Sequence, residues 1–543
     1  MKKYLFNRIG NNFRVLLLIV ILNVSRVFNS MLNIKILESI LSGDLKTFLQ
    51  LSGLMIGIWI IYALLSYVKS IVQANAIRLM NQDLREDILD IIVRLDYTDY
   101  YDKDTGSYVS WLSNDINTIE NSGFSNFYNI ADSVVTVITS LIGAVMVHYS
   151  FGIVFPVSVL LMIFLPNLFN KKIESASMEM SQEQERFISK IKDYFGGFEL
   201  LDSFNLLNIF VTKVRSASVD VETRKYGLSK TIGGATAFLI ILNVLSQMIS
   251  TIISGILVIK EVISPGAILA IGNLSGLFFT GVLSGMSQKV ELSTIRPIFE
   301  KFEAVRKQEP EGLPEIEKIS TAIELKDIGY SYNEKRVLTD LNIKIQIGKK
   351  YAIVGDSGTG KTTVLRILMG QLKDYEGEIC IDGKNVRDLN IDSIRNQIAY
   401  IDQNVYMFND TIQYNITLDR NFTTEEMEKA IEESALKDFI SNLRDGMETK
   451  IGEGGRNVSG GQRQRIAIAR ALLNGKNILF IDEGTSALDK SNAFEIESKL
   501  LNNPELTVIM ISHNLDDRLL DKFNMIYKLE SPLCDASPTG VIS

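Results

Sequence analysis

Gly355-Asp356-Ser357-Gly358-Thr359-Gly360-Lys361-Thr362, followed by Thr363, fits the spacing of glycine, four residues, glycine, lysine and a hydroxyl residue. An apolar run, Tyr351–Val354, precedes it, and a helix-like run, Thr363–Met369, follows. That is the strand–loop–helix setting a P-loop requires. Its glycines let the backbone curl so that N–H groups surround the β- and γ-phosphates of a nucleotide. The helix N-terminus adds positive dipole, Lys361 a full charge, and Thr362 a hydroxyl for Mg²⁺. A chance glycine-rich turn would lack both flanks.

Around this loop lie further strand-like runs: Ala322–Leu325, Leu341–Ile347, Lys350–Val354, Ile398–Ile401, Ile478–Ile481 and Val508–Ile511. Helical patterns intervene, so this half reads as α/β. The run Ile478-Leu479-Phe480-Ile481 ends in Asp482-Glu483. Asp482, at a strand end, is placed to hold Mg²⁺ through water, and Glu483 to orient or deprotonate an attacking water. An apolar run with two acids is a weak signal alone and a strong one downstream of a P-loop.

The first 300 residues differ. Six long apolar stretches, approximately Phe13–Asn33, Leu49–Tyr67, Ile130–Val147, Phe151–Phe169, Ile232–Ile259 and Ala267–Met286, each approach the roughly 20 residues that cross a bilayer as a helix. Buried core helices of a soluble protein would show a polar face, which Leu49–Tyr67 lacks. The N-terminal Met1-Lys2-Lys3 and Val15–Leu22 are also compatible with a signal peptide, but no small-residue cleavage site follows and Arg26 and Lys35 continue the segment. The second and third spans, and the fourth and fifth, are separated by long charged helical segments such as Leu79–Leu95 and Met178–Tyr194. Thirty residues down and thirty back would carry such helices about 45 Å beyond the membrane. Lys2, Lys3, Arg8, Arg78, Arg85, Arg94, Lys171, Lys172 and Arg186 gather there and at the N-terminus. The positive-inside rule then places both termini and both long loops in the cytoplasm of a multi-pass protein of the cell membrane.

Composition agrees with a greasy half joined to a soluble half. Hydrophobic residues make up 46% and charged residues 22%. Residues 1–319 carry 30 acids and 29 bases, and residues 320–543 carry 34 and 27, so the net charge of −8 sits almost wholly in the second half. An acidic soluble half argues against nucleic acid as a partner. Two cysteines, Cys380 and Cys534, and two histidines supply neither a disulfide framework nor a zinc site. The charged, proline-containing stretch from 306 to 322 is a linker. The boundaries expected are a transmembrane domain over 1–305, the linker over 306–322, and an ATP-binding domain over 323–543.

Val458-Ser459-Gly460-Gly461-Gln462 lies 20 residues before Asp482 and opens a helix-like run, Arg463–Leu473. With the P-loop it resembles the signature of the ATP-binding cassette (ABC) family, which usually leads with leucine where this chain has Val458. The resemblance covers nearly the whole chain, because six spans with two long loops followed by one ATPase domain look like an ABC exporter half-transporter. It implies that Ser459, Gly460, Gly461 and Gln462 meet the γ-phosphate held by a partner's P-loop, so that two copies are needed. It further implies that Tyr332 stacks on adenine, that Gln403 reports Mg²⁺ and the attacking water, and that His513 contacts the γ-phosphate. Asp489 resembles a loop that speaks across the dimer. Tyr101, Asp102, Gly106, Asn114 and Asp115 resemble a coupling region that seats near Gln403, although a solvated charged loop would read the same way. The chain departs from the family with Asp402 in place of a common proline, with Gly484, and with a short C-terminal tail rich in Ser and Pro. The implied cofactors are ATP and Mg²⁺. The implied partner is a second half-transporter, a homodimer being favoured because Gln403, Ser459, Gly461, Glu483 and His513 are all present, with a heterodimer remaining open.

Asn23, Arg26, Ser30 and Asn33 recur at helical spacing on one face of the first span, with Lys35 beyond. Asn243, Gln247, Ser250, Thr251 and Ser254 lie in the fifth span, and Asn273, Ser275, Thr280 and Ser284 in the sixth. Ionisable groups at membrane depth suggest a pathway. These residues predict a wet, hydrogen-bonding cavity for a peptide or other amphipathic cargo. The same residues would also serve as helix–helix glue, with Arg26 and Lys35 reaching an interface. A drug or lipid exporter, or an uptake system on the same architecture, is the alternative.

Overall fold

The apolar stretches fold as helices for the reason their composition dictates: in lipid, every backbone N–H and C=O needs a partner within its own segment. The computed structural model describes residues 1–103, 105–164, 167–305, 312–332, 335–403, 405–474, 476–483, 490–512 and 515–530. Five described helical stretches are long and apolar enough to cross a membrane: Ile9–Leu41, Leu45–Val93, Thr105–Val147, Leu207–Ile259 and Ala267–Val305. The shorter helix Phe151–Phe164 stands at the fourth expected span, with Pro156 inside it. Helix Leu45–Val93 has 49 residues and Leu207–Ile259 has 53. At 1.5 Å per residue each is more than 70 Å long, roughly twice a ~30 Å hydrocarbon layer. The long connections are therefore continuations of the spans themselves.

The most apolar stretch of Leu45–Val93 has none of its residues buried. Leu54, Ile56, Ile60, Ile61 and Leu64 stand exposed on it, an arrangement that suits lipid and not water. Asp44 starts this helix by accepting the Thr47 N–H at 3.1 Å and the Thr47 hydroxyl at 2.5 Å. Close helix contact rests on small residues. A Cβ on Gly143 would lie 2.7 Å from Val27 Cγ1, and one on Gly281 would lie 3.0 Å from Val137 Cγ2. Phe155, Phe278 and Phe279 pack with ring centroids 4.8 to 5.4 Å apart.

At the other end of this half, the N-terminal residues are tied to the second helix. Arg8 clamps Asp83 at 2.6 and 3.0 Å, and Lys3 and the Tyr4 hydroxyl both reach Asp87 Oδ2. Within Thr105–Val147 two turns are π-helical, Trp111–Asp115 and Ile119–Ser125. Helix Arg296–Val305 closes over the first of them. Lys301 pairs with Asp115 at 2.6 Å and lies 5.1 Å from the Trp111 ring centroid, while Phe302 meets the same ring edge-on at 5.4 Å.

The chain divides into two compact units, Met1–Arg94 with Lys103–Lys307, and Leu95–Asp102 with Gln308–Ser543. The second unit holds two sheets. Strands β1 (Ala322–Tyr332), β2 (Lys335–Gln346), β4 (Glu376–Ile381) and β5 (Lys384–Asn385) form an antiparallel sheet in the order β2-β1-β4-β5. Strands β3 (Lys350–Val354), β6 (Ile398–Ile401), β7 (Ile478–Asp482), β8 (Thr507–Ser512) and β9 (Met525–Lys528) form a parallel sheet in the order β6-β7-β8-β3-β9. Every residue of β7 is buried, which is why the central strands read as unbroken apolar runs. In β2 exposed and buried positions alternate along its second half, as one solvated face requires. The short segment that joins this unit, Leu95–Asp102, puts the Tyr97 ring beneath the Arg366 guanidinium and Asp96 in an ion pair with Lys373.

Candidate functional site

The P-loop leaves the C-terminal end of β3 and runs into helix Lys361–Leu368. Ligands of such sheets bind off the carboxyl ends of the strands, and Asp482 ends the neighbouring strand but one, β7. The loop's bend depends on Gly358 at φ +84° and Gly360 at φ +93°, a region open to glycine and closed to most side chains. Thr359, nearly buried, braces the bend by donating its hydroxyl to Asp356 O at 2.9 Å. Lys361 folds its ammonium over the loop and donates to the carbonyls of Gly355 at 2.7 Å and Asp356 at 2.8 Å. Burial pushes the Lys361 pKa down, against the pull of Glu483, Asp482 and Asp356. Among the described residues the ammonium thus has only carbonyls as hydrogen-bond partners while standing near three acids, and an incoming phosphate would give it a full counter-charge.

Asp482 is 2% exposed. Burial pushes its pKa up, the hydroxyls of Thr362 and Tyr400 bond to it in opposition, and the charges of Asp402 and Glu483 push it further up. The Tyr400 hydroxyl lies 3.3 Å from Asp482 Oδ2, and burial raises the Tyr400 pKa as well. A desolvated carboxylate flanked by Thr362 and by more negative charge is a cation site by its chemistry. The donors are hard oxygens, and among the described residues no cluster of three His, Cys, Asp or Glu is available to hold a metal by itself. That fits Mg²⁺, which is held by one or two protein oxygens together with substrate phosphates.

Glu483 adopts φ +50°, a left-handed conformation costly for a residue with a Cβ and characteristic of functional sites. Its N–H donates to Ile511 O at 3.1 Å, which locks this turn against β8. The turn aims the carboxylate at Gln403, whose Nε2 donates to Glu483 Oε2 at 2.6 Å. The direct Gln403–Glu483 bond is not readable from sequence, since 80 residues separate the two. Tyr332 ends β1, is 40% exposed, and meets Tyr330 edge-on at 4.9 Å. A flat aromatic surface is open there for a base.

The signature residues open the helix Gly460–Leu473. Ser459 caps helix Gly460–Leu473, accepting the Gln462 N–H at 3.2 Å, while Gln462 Oε1 accepts the Ser459 N–H at 2.8 Å. These two hydrogen bonds form a capping box within the helix start. His513 lies outside the described residues, as do Gly484, Ser486 and Asp489.

In the membrane half, a cavity of about 630 Å³ is lined by Arg26, Ser30 and Asn33 of the first helix, Gln247 of the fifth span, and Asn273, Thr280 and Ser284 of the sixth. Of the remaining expected residues, Lys35 and Thr251 are exposed outside the cavity, and the others are helix packing. Asn23 is 2% exposed and bonds Asp132 at 2.7 Å and Thr136 at 2.6 Å. Ser250, Ser254 and Ser275 are fully buried, with hydroxyls turned back on their own helices. Asn243 accepts from Gln247 at 2.5 Å. Sequence reading missed Asn29, Trp59, Asp132, Ser133 and Thr136, which also line the cavity. Asp132, the acid at the start of the third span, was the available signal.

A membrane-crossing helical domain and a P-loop ATPase domain on one chain define a membrane transport ATPase. Comparison with known proteins makes the class specific. The family described as the ABC transporter transmembrane region matches residues 13–282, and the ABC transporter family matches residues 338–486. The uncharacterised ABC transporter ATP-binding protein YwjA of Bacillus subtilis (strain 168) is 27% identical over 481 residues, 85% of this chain and 82% of the relative. ATP-dependent lipid A-core flippases of Pectobacterium atrosepticum and Desulfotalea psychrophila are 41% and 42% identical over 38% of this chain, and the match spans only 36% and 37% of their own length. The structure of a bacterial Atm1-family ABC exporter with ATP bound matches with a TM-score of 0.82 at 21% identity, over 97% of this chain and 94% of that one. This chain belongs to the ABC transporters: it has the ABC exporter fold, is a multi-pass membrane protein, binds ATP, and couples ATP hydrolysis to transport.

Proposed function

We propose that the chain is one half of an ATP-driven exporter, working as a homodimer in the cell membrane with its ATPase domains and both termini in the cytoplasm. Residues 1–305 form the transmembrane domain, 306–322 the linker and 323–543 the ATPase domain. The observation that carries this reading is the pairing of a polar cavity among membrane helices with a P-loop site whose carboxylate, Glu483, is held by Gln403. In it, Tyr332 stacks on adenine, and the backbone of residues 355–360 with Lys361, Thr362 and Thr363 holds the phosphates. Thr362, Gln403 and Asp482 hold Mg²⁺, which neutralises phosphate charge. Glu483 is the general base, His513 meets the γ-phosphate, and Ser459 to Gln462 complete the partner's site. The capped helix start at Ser459, which carries unused N–H groups and positive dipole, supports this last role. Segment Leu95–Asp102, with Tyr97 under Arg366, carries the ATPase cycle towards the membrane helices.

The deciding experiment is transport in inside-out vesicles. ATP-dependent accumulation of cargo in the lumen against a gradient supports export, and ATP-dependent loss of preloaded cargo marks uptake. A lipid cargo is the second reading, suggested by the flippase relatives, and ATPase stimulation by defined lipids against soluble amphiphiles separates the two.

A further inference from the structure

Resting on the cavity as the cargo pathway, we propose that the cargo is a small water-soluble zwitterion of amino-acid chemistry, a free amino acid or short peptide. Its carboxylate is held by Arg26 and Asn29, and its ammonium by Asp132. Among the described residues Arg26 belongs to none of the ion pairs, and the one hydrogen bond of its side chain is a long one, 3.5 Å to Asn23 Oδ1. Asn29, one helical turn further along the same face, is 3% exposed, and among the described residues neither Nδ2 nor Oδ1 of its amide has a partner. An amide buried in this way, lining a cavity, is an unmet donor and acceptor waiting for a ligand. On the other side of the Asn23 amide, Asp132 uses Oδ1 to accept from it at 2.7 Å, and among the described residues its Oδ2 accepts nothing.

Asn23 is the reason the two charges do not simply pair. It accepts from Thr136 at 2.6 Å and donates to Asp132 and to Ile19 O at 2.9 Å, so its amide is fixed between guanidinium and carboxylate. Opposite charges kept one side-chain amide apart, at a depth where ions are costly, form a template for a ligand with the reverse pattern. Its volume of about 630 Å³ is that of a small-molecule site. Only Met55, Trp59 and Leu277 among its lining residues have large apolar side chains, too little to shelter acyl chains, which disfavours a zwitterionic lipid.

Trp59 lines the cavity, and the other tryptophan, Trp111, is fully buried elsewhere in the helix bundle. Tryptophan emission of the full chain in detergent, without ATP, therefore reads binding independently of pumping. The probes are alanine, dialanine and tetra-alanine, each as the free zwitterion, the C-terminal amide and the N-acetyl derivative. At least one free zwitterion should bind saturably below about 10 mM, with roughly tenfold weaker binding of its amide and acetyl forms, as expected for losing one charge-assisted contact. Arg26→Gln should erase the preference over the amide, Arg26→Lys should restore part of it, and Asp132→Asn should erase the preference over the acetyl form. Thermal midpoints confirm that each variant is folded. Equal affinity for capped and free probes, or no response to any free zwitterion, overturns the proposal. ATPase stimulation by phosphatidylethanolamine vesicles without a peptide response assigns the cavity to lipid. Binding without transport in vesicles overturns the pump reading and leaves the zwitterion site standing.

Discussion

At the scale of single residues, two neighbouring acids do different work because their surroundings differ. Asp482 is enclosed, whereas Glu483 is turned by its left-handed backbone towards Gln403. Glu483→Gln should retain ATP binding and lower kcat by about 10²–10⁴-fold, the range for losing a general base. Near-normal turnover would remove Glu483 from that role. Lys361→Ala should weaken binding itself, seen as a raised Kd for ATP, because the phosphate cradle loses its charge.

The raised pKa of Asp482 makes a separate prediction. Between the ordinary value of 3.8 and its higher folded value, the folded protein holds a proton that the unfolded chain has released, so stability falls as pH rises through that window. The penalty is complete above the folded pKa. Asp482→Asn should therefore raise the melting temperature of the Mg²⁺-free protein at pH 7 by about 2–4 °C for each kcal/mol recovered. That gain should shrink on acidification towards 3.8, and added MgATP should stabilise the variant less than the parent. A Mg²⁺-free parent that melts above the variant at pH 7 would contradict burial as the dominant influence.

At the scale of elements, the P-loop is a bend that only glycine permits at Gly360. Besides its φ of +93°, an added Cβ would lie 2.7 Å from Leu338 Cδ2 and 2.9 Å from Val337 Cγ1. Gly360→Ala should cost about 1 kcal/mol or more and weaken ATP binding at least as much as Lys361→Ala, while far-ultraviolet circular dichroism stays native. Wild-type affinity in that variant would show that the loop tolerates another path. The π-helical turns at Trp111–Asp115 and Ile119–Ser125 are a second case. They widen the helix where Trp111 meets Phe302, and π-turns of this kind recur at functional sites.

At the scale of the whole molecule, the signature helix start and the P-loop are each complete in one copy, and their proposed meeting is between copies. Mass measurement in detergent should give twice the chain's 60.9 kDa. Ser459→Arg and Lys361→Ala should each be nearly inactive alone. Co-assembled, they should regain ATPase activity, since each mixed dimer holds one intact P-loop facing one intact signature. Full activity of Ser459→Arg alone would count directly against a role across the dimer.

Residue types and their order determined the α/β and membrane halves, and for a physical reason. Parallel strands buried on both faces must be apolar throughout, so Lys350–Val354 and Ile398–Ile401 were legible to the residue. Lipid-facing helices must be apolar over their whole length, so the spans were legible too. Strand β4 was not, because Gly377 and Glu378 interrupt its run and only its second half is buried. Helical spacing put Asn23, Arg26, Ser30 and Asn33 on one face, but it could not say what that face meets. Only packing turned Arg26 into a cavity, fixed Asn23 against Asp132, and hid Ser250 and Ser254 while leaving Gln247 open. The turn at Glu483 and its bond to Gln403 likewise exist only in three dimensions. Periodicity is a local property of the chain, whereas the partner across a helix face or a strand end is set by segments far away in sequence.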